Sequence, residues 1–336
     1  MRRREFIITL GGAAATAAWP LSAAIWPGPA LGQTAAKTYR IGLLSPAAPV
    51  IDASPYGAPL IHALAQQGYA QGRNLVIERR GAEGQLDRLP RLLEELVASK
   101  VDVVITVGYP PAQIAKQGTK LPVVVFAAGD PISTGLVDSL ARPDGNITGM
   151  SDVSAELTPK RMQLLKQMAP DLKRVAMLWN VSDLGMTMRY RASEIGAKAM
   201  GISVLPLGVR EPDDFGQTFA LMDQEKPDAI LMVTDSLTAL NRKRVFEYAA
   251  AHRLPAIFEF DWIVRDGGLM SYAPNLDETF ARVAYLTDRL LKGAKPADLP
   301  FEQPTSFKLA INIKTAKALG LDVPTTLLAT ADEVIE

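Results

Sequence analysis

The chain has 336 residues, in which 36 Lys and Arg balance 36 Asp and Glu, with two His and no Cys. A balanced charge offers no electrostatic footprint for nucleic acid and no polybasic patch for anionic lipid. The lack of cysteine excludes a disulfide framework, thiolate chemistry and an acylated cysteine.

Residues 1–32 have the pattern of a cleavable export signal. Three arginines at positions 2–4 precede an apolar run that is too short to span a bilayer and is interrupted by prolines. The segment "RREFI" at positions 3–7 is similar to the twin-arginine consensus. Small residues at the end of the segment predict cleavage after Gly32, so that the mature chain starts at Gln33. Export of the unfolded chain and a retained anchor are the alternatives.

Strands and helices are predicted to alternate along the first half of the mature chain. Helical patterns near 60–67 and 87–99 separate short apolar runs, which lie at 40–45, 74–78, 101–107 and 121–127. Runs that are apolar on both faces are typical of a parallel sheet covered by helices on each side. The first half therefore predicts an α/β lobe.

A second set of apolar runs follows in the same order, at 174–180, 202–207, 227–233 and 253–258. This repetition predicts a duplicated lobe, with chance similarity among apolar strands as the alternative. A later amphipathic helix at 275–292 and a strand at 307–313 fit a chain that returns to the first lobe and then crosses back. Crossings are predicted near 149–153, 270–274 and 301–306. They divide the chain into a first lobe of 37–152 plus 274–302 and a second lobe of 153–273 plus 303–336.

Four segments carry a resemblance to a known family. They are "GRNLVIERRGAEGQLDRLPRLLEELV", "FAAGDPISTGLVDSLARPDGNITGMS", "GLMSYAP" and "LLKGAKPADLPFEQPTSFKLAINIKTAKALGL". Over essentially the whole mature chain, the sequence resembles the ABC-transporter substrate-binding family whose Gram-positive relatives bind tryptophan or tyrosine. The resemblance implies a type I periplasmic-binding fold: two Rossmann-like α/β lobes with parallel sheets covered by helices, three hinge crossings, and a ligand between the lobes. It also implies a periplasmic location and an ABC permease in the inner membrane as partner.

The sequence departs from the common family pattern at two places. Gly108-Tyr109-Pro110-Pro111 stands where a Gly-Thr-Pro-Ala type of sequence is usual, and Val181 stands where proline is usual. Both departures fall where ligand is expected. The identity of the ligand therefore does not carry over from the family.

Candidate ligand contacts follow from the geometry of parallel sheets, in which ligands bind beyond the carboxyl ends of the strands. In the first lobe these ends give Ser45, Pro46, Tyr109, Pro110, Ala128, Gly129 and Asp130. In the second lobe they give Asn180, Asp235, Ser236 and Glu259. An amino acid needs N–H donors for its carboxylate, which the first set offers, and acidic acceptors for its ammonium, which the second set adds.

Several of these candidates also fit a structural role. Tyr109 fits a loop plug as well as a ligand contact, Asp130 fits a turn cap, and Asp235 with Ser236 fits the start of a helix near Thr238. Glu259 fits a strand end that faces the cleft without touching ligand.

Three further residues are candidates at the cleft and its hinge. Asp152 and Tyr272 lie at predicted hinges, where they would stabilise the closed form or contact ligand directly. Trp262 is a further candidate for lining the cleft, whereas Trp179, inside a strand, is predicted in the core.

The sequence contains no pattern of catalytic or metal-ligating residues. His62 and His252 stand alone in helical patterns, and nucleotide-binding and nucleophile motifs are lacking. We therefore expect no enzyme, cofactor or metal site, but a monomeric receptor that binds a small molecule, with an aromatic or branched amino acid favoured. A sensor for a membrane signalling protein and a binder of sugars or nucleosides remain the alternatives.

Overall fold

Two separate β-sheets carry the fold in residues 37–336, the part of the chain that the computed structural model describes. The predicted export signal and its cleavage site lie outside these residues. Each sheet has helices on both faces, which confirms the predicted α/β fold of two Rossmann-like lobes. The helices in this range include none that is both long and apolar enough to cross a membrane.

The first sheet has five parallel strands. Its elements in chain order are β1 (Tyr39–Ser45), α1 (Gly57–Gln66), β2 (Leu75–Gly81), α2 (Leu89–Ala98), β3 (Val103–Val107), α3 (Tyr109–Gly118), β4 (Val123–Phe126) and β5 (Ile147–Met150). The strand order is β2-β1-β3-β4-β5. All residues of β4 are buried, as expected for an inner strand covered by helices on both faces.

The second sheet repeats this arrangement. Its elements are α4 (Thr158–Met168), β6 (Arg174–Asn180), α5 (Leu184–Ala199), β7 (Ser203–Val209), α6 (Asp214–Glu225), β8 (Ala229–Met232), α7 (Ser236–Leu240), α8 (Arg242–His252), β9 (Ala256–Phe258), α9 (Asp261–Arg265) and β10 (Met270–Pro274). Strands β7-β6-β8-β9-β10 are neighbours in the same relative order as the five strands of the first sheet. The shared order agrees with a duplicated lobe.

The last segment crosses to the first lobe and then returns to the second. It contains α10 (Leu276–Leu291), β11 (Phe307–Asn312), α11 (Ile313–Leu319), α12 (Thr325–Thr330) and β12 (Glu333–Ile335). Helix α10 packs on α1 and against β3, β4 and β5, whereas β11 and β12 extend the second sheet. The strand pairs are parallel except for β10 and β11, which are antiparallel. The chain leaves the second sheet through β10, passes along α10 and returns through β11, so these two strands run in opposite directions.

Three chain segments cross between the lobes, and they are hydrogen-bonded to one another. The N–H of Ser151 donates to the carbonyl of Glu302 at 2.8 Å, and the N–H of Glu302 donates to the carbonyl of Gly149 at 2.8 Å. The N–H of Asn275 donates to the carbonyl of Ser306 at 3.0 Å. The crossings therefore form one connected strap beside the lobes.

Gly81, at the end of β2, allows the loop after β1 to pack closely. A Cβ at this position would lie 2.3 Å from the nitrogen of Pro49 and 2.6 Å from the carbonyl oxygen of Ala47. Since both are backbone atoms, they cannot move away as the end of a flexible side chain would. Glycine at position 81 therefore sets the position of the loop at 46–51.

We expect Gly81→Ala to lower the free energy of unfolding by about 1–3 kcal/mol through overpacking. Urea denaturation measures this change. Gly216→Ala is the matched control, because Gly216 lies in α6 with open space around its Cβ position and alanine favours a helix. Equal stability of the Gly81 variant and the native protein would show that the loop adjusts freely.

Candidate functional site

A cavity of about 450 Å³ lies between the carboxyl ends of the two sheets. The first lobe contributes the loop at 45–51 after β1, with Gly108 after β3 and Ala127 after β4. The second lobe contributes residues 234–236 after β8 and Phe260 after β9. This is the place where open parallel sheets bind ligands, and the volume suits a small molecule.

One wall of the cavity is aromatic. The ring of Tyr56 lies edge-on to Trp262, with centroids 6.4 Å apart, and to Phe260, with centroids 6.1 Å apart. The guanidinium of Arg242 lies 5.5 Å from the centroid of the Trp262 ring. Met186 and other apolar side chains complete the lining. The wall can cover an apolar or aromatic group of a ligand.

Four charged side chains form a buried ion cluster next to the cavity: Asp152, Arg161, Arg189 and Glu259. Arg161 donates to Glu259 at 3.2 Å, Arg189 donates to Glu259 at 2.9 Å, and Arg189 also pairs with Asp152. None of the four side chains is more than 4% exposed. Two positive and two negative charges therefore balance in a space without solvent, where an unpaired charge would be costly.

The buried ion cluster connects the second lobe with two of the crossing segments, through Asp152 and Tyr272. Arg161, on α4, donates from Nε to the carbonyl of Tyr272 in β10 at 2.8 Å. The N–H of Thr234 donates to Glu259 at 2.8 Å. Burial would raise the pKa of Glu259, but Arg189 and Arg161 outweigh it and hold the pKa below its usual value. Glu259 is therefore ionised, and its oxygens are occupied by protein donors.

Asp183 and Asp235 present carboxylates to the cavity from neighbouring strands of the second sheet. Asp183 caps α5 by accepting from the N–H of Met186, and Asp235 caps α7 by accepting from the N–H of Thr238. The amide of Asn180 donates to Asp235 at 2.5 Å. Burial and the nearby Asp235 carboxylate raise the pKa of Asp183 to about 6. A positively charged group placed beside these two carboxylates would relieve their repulsion.

Comparison with known proteins agrees with this geometry. The model of the family described as ABC transporter substrate binding protein matches residues 51–335. The chain belongs to this family. The resemblance seen in the sequence is thereby confirmed over most of the chain.

Three relatives of this substrate-binding protein illustrate the match. A tyrosine-binding protein of Clostridioides difficile (strain R20291) is 26% identical over 274 residues, which cover 81% of this chain and 78% of that protein. The structure of an ABC domain from Streptococcus pneumoniae in complex with L-Trp is 27% identical with a TM-score of 0.79, covering 89% of this chain and 100% of that chain. A conserved domain protein of Vibrio cholerae has a TM-score of 0.82 at 23% identity, with the same coverage, and supports the fold alone.

Several residues predicted from the sequence line the cavity of this substrate-binding protein. They are Ser45, Pro46, Pro110, Asp152, Asp235 and Ser236, together with the further candidate Trp262. Asp235 combines two roles, since it caps α7 and also faces the cavity. The strand-end rule therefore brings residues of both lobes to one place.

Four predicted residues of the first lobe lie elsewhere. The hydroxyl of Tyr109 donates to the carbonyl of Thr134 at 3.4 Å, and its Cβ lies 3.3 Å from the Cβ position of Gly185 in α5. Ala128 is buried in the core of the first lobe, and the carbonyl of Gly129 accepts from Ser151. Asp130 accepts from the N–H groups of Ile132 and Ser133, so its carboxylate caps the following turn.

Three predicted residues of the second lobe and hinge contact other protein side chains instead of the cavity. Asn180 holds Asp235, and Glu259 belongs to the buried ion cluster. Tyr272 stacks on Phe307 with centroids 6.0 Å apart. None of the three is part of the cavity lining. Trp179 lies in the core of the second lobe, stacked on Tyr190, as predicted.

The sequence reasoning missed Asp183, Arg189 and Arg161. A signal for Arg189 exists, because it lies three residues after Met186 and four before Ser193 on the buried face of α5. Arg161 similarly lies four residues before Leu165 on the buried face of α4. Asp183 immediately precedes a helix, which is the usual position of a cap. The two histidines lie outside the cavity lining, and residues 37–336 hold no group of three or more potential metal ligands.

Proposed function

We propose that the protein is the receptor of an ABC importer, which captures a small aromatic or branched amino acid between its lobes and delivers it to a permease in the inner membrane. The observation that carries this proposal is the cavity itself. It joins an aromatic wall from Tyr56, Phe260 and Trp262 to the carboxylates of Asp183 and Asp235. An amino acid with an apolar side chain offers the matching pair of groups.

The relatives support the same class of ligand. One is named for binding tyrosine and another was crystallised with L-Trp. The proposal includes export to the periplasm, a monomeric receptor, and closure of the lobes with hinges at the three crossings. Ligand contacts from both lobes would favour the closed state by their differential affinity.

A thermal-shift screen of the purified protein tests the proposal. L-tryptophan, L-tyrosine and the branched amino acids are compared with sugars and nucleosides. A ligand at about one hundred times its Kd adds about 2.7 kcal/mol to the free energy of unfolding, which raises Tm by several degrees. A shift with sugars or nucleosides alone would contradict the amino-acid proposal.

A pair of leucine variants shows whether the shift comes from the cavity. Leu240 lines the cavity and is 55% exposed, so that Leu240→Arg fills the site without disturbing the core. We expect this variant to lose the ligand-induced shift and to keep the Tm of the ligand-free protein. Leu221→Arg is the control, because Leu221 is 38% exposed on α6 outside the cavity. A full shift in the Leu240 variant would place binding elsewhere.

A further inference from the structure

Five charged residues line the cavity, and they are not balanced. Arg189 is matched by Asp152 and Glu259 within the buried ion cluster, and Arg242 is matched by Asp266 at 2.6 Å. Asp183 and Asp235 pair with no Lys, Arg or His among residues 37–336. The net charge presented by the lining is therefore negative.

The helix that starts beside the cavity in the first lobe offers few N–H donors for an anion. The first three positions of α3 are Tyr109, Pro110 and Pro111, so that two of the three have no N–H. Such a helix start ordinarily favours a carboxylate. Of these two prolines, only Pro111 departs from the usual Gly-Thr-Pro-Ala type of sequence, which has proline at the position of Pro110 as well.

Helix α1 also begins at the cavity, and its first N–H groups already have protein partners. The N–H of Gly57 donates to the hydroxyl of Ser54 at 3.0 Å, and the N–H of Ala58 donates to the carbonyl of Ser54 at 3.1 Å. Pro59 has no N–H. In the second lobe the starts of α5 and α7 are capped by Asp183 and Asp235, which repel an anion.

Three buried donors at the cavity have no protein partner among the described residues. They are the hydroxyl of Thr234, Nε of Arg189 and Nε1 of Trp262. All three point to a ligand that supplies an acceptor. Because the charge of Arg189 is already balanced, a neutral oxygen suits these donors as well as a carboxylate does.

We propose that the cavity selects its ligand by an ammonium group held by Asp183 and Asp235, and that a carboxylate on the ligand adds nothing to affinity. This inference rests on the proposed function, in which the cavity between the lobes binds the cargo. The ligand class is then an apolar or aromatic primary amine, of which a free amino acid is one member. Amines and amino-acid esters or amides belong to the same class.

Matched pairs of probes test this inference by isothermal titration calorimetry on the full chain. The pairs are L-tryptophan with tryptamine, L-tyrosine with tyramine, and L-leucine with isoamylamine. Each amine is expected to bind at least as tightly as its amino acid, whereas indole-3-propionate, which lacks the amine, binds about 100-fold more weakly or not at all. Amino acids that bind 10-fold or more tightly than their amines would overturn the inference and leave the proposed function intact. If no member of any pair binds, the proposed function fails and the inference fails with it.

Two substitutions test whether Asp183 binds the ammonium group. Asp183→Asn keeps an N-cap residue on α5 and removes the charge, so that tryptamine is expected to bind about 10-fold or more weakly. Asp213→Asn, at the exposed start of α6, is the matched control and is expected to bind as the native protein does. Unchanged binding of tryptamine by a folded Asp183 variant would overturn the inference.

A third variant tests whether the missing N–H at position 110 limits the binding of a carboxylate. Pro110→Ala returns one N–H to the start of α3 at the cavity. We expect this variant to bind L-tryptophan several-fold more tightly while its affinity for tryptamine stays the same. An equal change for both probes would show that position 110 acts through packing, which contradicts the missing-donor argument.

Discussion

Replacement of Arg189 by methionine is expected to lower the free energy of unfolding by about 3–5 kcal/mol, because it leaves a buried carboxylate without a partner. Asp152 forms its ion pair with Arg189, whereas Glu259 keeps its pair with Arg161 in the variant. Most of the cost therefore comes from the charge of Asp152. Urea denaturation followed by tryptophan fluorescence measures the loss of stability.

Arg191→Met is the matched control, since Arg191 lies on the same helix with its side chain exposed. It is expected to leave the free energy of unfolding unchanged. The double variant Arg189→Met with Asp152→Asn should recover part of the loss, because it removes the unpaired charge as well. A double variant that is less stable than the single one would show that lost packing, not charge, explains the effect.

Asp183→Asn is expected to stabilise the ligand-free protein at neutral pH by about 3 kcal/mol, by the linkage between pKa and stability. Burial and the Asp235 carboxylate raise the pKa of Asp183 to about 6 in the folded state, although Arg189 opposes this shift. The unfolded chain has a pKa of about 3.9 for the same group. Folding therefore takes up a proton between about pH 4 and 6, and the contribution of Asp183 to stability falls as the pH rises through this window.

Urea denaturation at pH 4.5 and pH 7.5 separates this effect from others. The stabilisation by Asp183→Asn should be large at pH 7.5 and small at pH 4.5. Asp213→Asn, at an exposed position, should show no such difference between the two pH values. A stabilisation that is equal at both pH values would contradict the titration of Asp183 as its cause. The expected result would mean that the protein keeps a destabilising carboxylate for the sake of its ligand.

Much of the fold could be predicted from the sequence, because strands buried on both faces leave a clear apolar signal. The runs at 40–45 and 174–180 coincide with β1 and β6 to within one residue at each end. The end of α10 before Gly293 could also be predicted, since glycine adopts the positive φ of 95° found there. The antiparallel direction of β11 could not be predicted, because the local sequence pattern does not indicate the direction in which a strand enters a sheet.

The candidate site was predictable only in part. Strand ends identify positions such as Ser45 and Asp235, but they do not tell whether a side chain turns to ligand or to protein. Asp130 and Glu259 both follow strands, yet one caps a turn and the other joins buried arginines. Those arginines lie on helices α4 and α5, and their pairing with Glu259 spans 98 and 70 residues of sequence. Such long-range partners are set by tertiary packing and leave no local pattern.

The hydrogen bonds among the three crossings have a mechanical consequence. Pro274 pairs with Phe307 across β10 and β11, and Glu302 is bonded to both Gly149 and Ser151, so the crossings cannot slide past one another. If the lobes close on ligand as proposed, we expect the connected crossings to bend together about one axis and to resist twisting. The lobes would then lose little orientational freedom on closure, and less of the binding free energy would be spent on ordering the receptor.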